Sequence, residues 1–111
     1  MKIKAGAIYR AKNAKLGMAD YSRPFIVLRA SGTDADICFF STKFELIEAG
    51  DVTLEHTDPD FKASGLKEDS YLVERSSHPV NLDFFNGATP LGVAAGEFKK
   101  RAEKMWGATL D

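Results

Sequence analysis

Apolar residues along the chain fall into short runs rather than long periodic ones. Residues 6–11 (GAIYRA) form a strand candidate, and the polar stretch KNAKLGMADYS (12–22) separates it from the next apolar run. That separation is long for a hairpin turn and contains Gly17, so it predicts a loop, where binding residues concentrate. Residues 24–30 (PFIVLRA) and 36–42 (DICFFST) are apolar without alternation, the pattern of strands covered on both faces. Pro24 cannot donate to a ladder and suits the first position of a strand. SGTDAD (31–36) supplies turn chemistry between the two runs, so the simplest arrangement is a pair of adjacent central strands. DVTLE (51–55) alternates strictly, as a half-exposed strand does. SYLVE (70–74) and NLDFF (81–85) complete the series, with HTDPD and SSHP as breaks.

One segment carries helical periodicity. In GEFKKRAEKMWG, Phe98, Ala102, Met105 and Trp106 fall on one stripe, and Gly107 is placed to stop the helix. Glycine costs roughly 1 kcal/mol inside a helix, so Gly92 and Gly96 predict a start near Gly96. Short strands punctuated by Gly, Pro and Asp favour a compact barrel or sandwich.

The length, 111 residues, is that of one domain around one core, so residues 1–111 are read as a single unit. The formal charge of −1 excludes bulk attraction to nucleic acid or anionic lipid, so any polyanion site must be a local cluster. No apolar run approaches the roughly 18 residues that span a bilayer, and the charged N-terminal stretch does not read as a signal peptide. The expectation is a soluble, cytoplasmic protein. The single cysteine, Cys38, sits between apolar neighbours and reads as a buried hydrophobe, which excludes a disulfide framework.

The ordered series GxIYxA, a polar loop, SRPFIVL, an apolar strand ending in FFSTK, GLKEDSYLV and a closing helix resembles the PemK/MazF family of toxins from toxin–antitoxin systems. The likeness runs from about Gly6 to Trp106. It implies a mainly β fold, an SH3-like β-barrel with a C-terminal helix, usually a homodimer. It also implies metal-independent cleavage of single-stranded RNA by 2′-hydroxyl attack, with no cofactor, and neutralisation by an antitoxin protein. Arg23 falls on the family's arginine before proline, Ser41 on its catalytic threonine, Thr42 on the serine that follows, and Arg75 on a later arginine. Ser77 stands where the family carries an acid. The first loop lacks the family's glutamate or histidine and holds Asp20 as its only acid.

The chemistry needs an acceptor for the 2′-hydroxyl proton, positive charge at phosphorus and a donor to the leaving oxygen. Arg23 and Arg75 supply permanent charge in a fork that matches two phosphate oxygens. Ser41 is read as the catalytic hydroxyl beside them, although an isolated hydroxyl is a poor base. His78 is the first choice for the base and Asp20 the second. Thr42, Ser77, Lys15 and Tyr21 are read as substrate contacts, with Tyr21 as the platform on which a base stacks. His56 with Asp58 and Asp60 also admits reading as an oxygen-rich metal site.

Each residue has a plainer reading. Arg23 also fits a solvated flank of Pro24, Ser41 and Thr42 a strand-end turn bonding its own backbone, Arg75 a surface partner of Glu74 or Glu68, and His78 a turn residue. The run Lys99, Lys100, Arg101 and Lys104 reads as the wet face of the last helix. The function rival to the nuclease is a non-catalytic module on the same barrel, acting through a protein partner such as a topoisomerase subunit. A further rival is a binder of single-stranded nucleic acid.

Overall fold

The two unalternating apolar runs become the two longest strands, β2 (Ser22–Ala30) and β3 (Asp34–Ser41), with β1 (Ala7–Lys12) on the far side of β2. They pair antiparallel, with Phe25 opposite Phe39 and Ile26 opposite Cys38. The computed structural model describes residues 3–12 and 22–110. Among these, β4 (Val52–Leu54), β5 (Ser70–Leu72), β6 (His78–Asn81) and β7 (Thr89–Val93) complete one antiparallel sheet in the order β4-β5-β3-β2-β1-β7, with β6 also on β3. The curled sheet and the C-terminal helix make a mainly β, barrel-like architecture, as the sequence predicts.

The outer edge of β3 is shared. Residues 34–37 pair with β6, and Phe40 and Ser41 pair with β5. A 3-10 turn at Glu74–Ser76 spans the gap between the two partners. Both faces of β2 and β3 are covered, which explains their lack of alternation. Ile26, Leu28, Cys38 and Phe40 face a core closed by Leu54, Leu72 and two residues of α2 (Gly96–Trp106), Phe98 and Ala102. Phe25, Val27, Ile37 and Phe39 face a second core with Tyr9, Phe84 and Phe85.

The expected strand over NLDFF is not formed. Residues Leu82–Phe85 are a 3-10 turn, opened by Asn81 Oδ1 accepting the Asp83 N–H at 3.0 Å. Adjacent strand residues point to opposite faces, whereas the turn sends both Phe84 and Phe85 into one aromatic cluster, with rings 5.9 Å apart at 89°. The preceding SSHP, expected as a break, instead contributes to β6. Pro24 is the third residue of β2, not its first, opposite Arg10 in β1.

Strand β7 has no counterpart among the sequence expectations, where Gly92 figures only as unfavourable to a helix. It is an edge strand, and Gly92 lies where a Cβ would stand 2.1 Å from the Ala63 carbonyl oxygen of α1 (Phe61–Ser64). Gly65 is complementary, at φ +74° with Leu91 backbone where its Cβ would be. The helix α2 begins at Gly96 and ends at Gly107 as expected, with Met105 and Trp106 partly buried against the first core. Its first turn is capped from outside, Asp60 Oδ2 accepting the Phe98 N–H at 3.2 Å.

Two backbones in contact at Gly92 have no side chain that can yield. Gly92→Ala is therefore expected to lower stability by about 1–3 kcal/mol. Gly32→Ala, in open space, is expected to stay within about 0.5 kcal/mol. Urea denaturation of the two variants checks both.

Candidate functional site

The end of β2 is built around a missing donor. Phe39 turns its N–H to Ser76 Oγ (2.9 Å) and its C=O to the Val73 N–H (2.9 Å), both on the outer edge of β3. Its neighbour Phe40 must then turn its own groups towards β2, where continuation of the register places Pro24 opposite. Proline has no N–H to give. Arg23 fills the place: its Nη2 donates to the Phe40 carbonyl at 3.1 Å, and its guanidinium carbon lies 5.0 Å from the Phe39 ring centroid. The arginine is thus part-buried and oriented, with one N–H spent on the Phe40 carbonyl among the described residues.

The same register sets Ser41 across from Arg23. Both line a groove of about 940 Å³ together with Thr42 and Arg75, so four of the residues singled out from the sequence converge. Arg10, Lys43 and Lys67 also line it, and among the described residues Glu68 is its one carboxylate. Among the described residues, five cationic side chains face one acid on a chain whose net charge is −1. Ser41 Oγ accepts the Lys43 N–H at 3.1 Å, and Tyr71 donates its hydroxyl to the Lys43 carbonyl at 3.0 Å. The strand-end turn is therefore real, and it fixes the corner that presents Thr42. Arg75 sits on the 3-10 turn whose Ser76 completes the β3 ladder. Its ion partner is Glu48 at 3.3 Å, not Glu74 or Glu68, and with both side chains more than half exposed the pair is weak.

His78 and Ser77 do not line this groove. The His78 imidazole stacks on Phe39 at 5.7 Å, and its Nδ1 donates to the Ser76 carbonyl at 2.8 Å. It shares an aromatic ring with Arg23 but belongs to β6. Lys15, Tyr21 and Asp20 lie outside the described residues. Buried Cys38 gives its Sγ–H to the Val73 carbonyl, and burial pushes its thiol up to about 11.

The sequence matches no known protein-family model and no curated protein.

A second hollow, of about 540 Å³, adjoins the groove and shares Thr42, Lys67 and Glu68 with it. It holds His56 and Asp69, a pair absent from the sequence reading. Antiparallel pairing of Leu54 with Ser70 brings residues 55–56 against 68–69. Asp69 Oδ1 lies 2.7 Å from both His56 Nδ1 and His56 N. Asp58 instead accepts the Glu55 N–H, and Asp60 caps α2, so the proposed metal trio is dispersed. No group of three metal-ligating side chains occurs among the described residues.

Hydrogen bonding to Asp69 raises the His56 pKa above its ordinary 6.5, and the bonds from His56 hold Asp69 below the usual carboxylate range. A raised folded pKa stabilises below the unfolded value near 6.5, and the benefit is lost as pH rises through the folded midpoint. An NMR titration is expected to place His56 above 6.5 and to show Asp69→Asn moving it down. Cys38 is expected to resist alkylation at pH 8 in the native protein and to react fully once it is unfolded in guanidinium.

Proposed function

We propose that the basic groove holds the backbone of single-stranded RNA and that the protein is a PemK/MazF-like endoribonuclease toxin acting without metal. The observation that carries this is the convergence of Arg23, Ser41, Thr42 and Arg75 on one groove where, among the described residues, five cations stand to one acid. Arg23 is preorganised by Phe39 and Phe40, so it offers the rest of its fork to a phosphate with little ordering cost. Charge-assisted donors aimed at a phosphorane-like transition state are worth about 3 kcal/mol each. In the reaction the 2′-oxygen bonds to phosphorus and the 5′-oxygen leaves, giving a cyclic phosphate and a 5′-hydroxyl. One proton is taken from the nucleophile and one is given to the leaving group. An antitoxin protein as partner, a homodimeric state and a cytoplasmic location belong to the same reading.

One observation favours a second reading. Among the described residues no imidazole lines the groove and Glu68 is its only carboxylate, so the arginine end alone is suited to binding rather than proton transfer. On that reading the barrel is a non-catalytic module acting through a protein partner.

Purified protein is expected to cut RNA in excess EDTA, and Arg23→Ala to lower the rate at least about tenfold. In binding to single-stranded RNA, log affinity falls with log salt by about 0.7 per phosphate neutralised, so Arg23→Ala is expected to shallow that slope by about 0.7. RNA left intact, together with recovery of a stable protein partner, selects the second reading.

A further inference from the structure

We propose that His56, held by Asp69, takes the 2′-hydroxyl proton, and that the phosphodiester cut is the one seated where its hollow opens into the basic groove. The inference rests on the RNA reading above and assigns the acid–base group which that reading lacks. Four observations support it. The two hollows share Thr42, Lys67 and Glu68 as lining, so His56 lies beside the end of the groove in which a strand would rest on the arginines. A carboxylate can only accept, so Asp69 fixes hydrogen on Nδ1 of the neutral ring and leaves Nε2 as the lone-pair atom on the opposite side. The His56 side chain is 71% exposed, so that nitrogen is reachable. Thr42 and Lys67, at the junction, offer a hydroxyl and an ammonium to the non-bridging oxygens.

The step balances without an added reagent. Nε2 accepts the 2′-hydroxyl proton, the 2′-oxygen forms its bond to phosphorus, the bond to the 5′-oxygen breaks, and the imidazolium or water returns a proton to that oxygen. The charged groups around His56 are Glu55 and Asp58 on its own turn, and Lys67, Glu68 and Asp69 from the segment before β5. Asp69 also accepts the His56 backbone N–H, so the pair clamps the turn as well. A clamp alone would leave the rate insensitive to the imidazole.

His56→Gln keeps an amide donor in place of Nδ1–H and removes the base. Cleavage of a messenger transcript in EDTA is expected to fall about 100-fold or more, while affinity for the same sequence in 2′-deoxy form stays within about twofold. In the wild type the rate is expected to rise with pH through the His56 midpoint, and Asp69→Asn to move that limb to lower pH. His56→Gln cutting within about threefold of the wild type, or a limb unmoved in Asp69→Asn, overturns the assignment. Wild-type protein that binds RNA and cuts nothing overturns it together with the nuclease reading. Undiminished binding in Arg23→Ala overturns the groove reading and with it the seat proposed for the cut phosphodiester, even where His56→Gln still lowers the rate.

Discussion

The structure depends on how the outer edge of β3 is completed. No single strand covers that edge, because the pairing with β6 stops at Ile37 and the pairing with β5 starts at Phe40. Between them lies Phe39, buried, with an N–H and a C=O that water cannot reach, and an unpaired group there would cost about 1–3 kcal/mol. The Ser76 hydroxyl and the Val73 amide close the gap. On the inner side the Arg23 guanidinium supplies what Pro24 lacks. Two side chains thus finish a ladder that the backbone leaves incomplete, one on each edge of the same dipeptide.

Those repairs position the chemistry. Ser76 anchors the 3-10 turn that carries Arg75, and the carbonyl that Arg23 serves belongs to the residue before Ser41. Arg23 is therefore set by ladder bonding and Arg75 by the turn that the same ladder anchors, with Glu48 as its exposed ion partner. The near-neutral chain concentrates positive charge on one surface without a basic composition.

Much of the scaffold was legible. Runs of four apolar residues without alternation marked β2 and β3, and the 3.6-residue stripe marked α2, because burial on both faces or on one stripe leaves those patterns directly. The NLDFF segment misled because adjacent phenylalanines in a short apolar run fit a strand and a tight turn equally. Strand β7 hid because its glycine serves an approach by another backbone, which a local reading takes for a breaker. At the site, Arg23, Ser41 and Arg75 were found through their place in an ordered series. His78 was not brought to the groove, since its position beside Arg75 in sequence says nothing of which edge its strand joins. His56 was noticed for the wrong partners: Asp58 and Asp60 are near in sequence, but Asp69 is near only through β4–β5 pairing.

The shared edge also sets where the chain tolerates a change of length. From Val73 to Ser76 the spacing between the two bonds to Phe39 is fixed, so an inserted or deleted residue there would lift the hydroxyl off its amide and turn Arg75 away together. The turn around Gly32 has open space beside it and no such obligation. Divergence by insertion and deletion is accordingly admissible at that hairpin tip and barred from the link between β5 and β6.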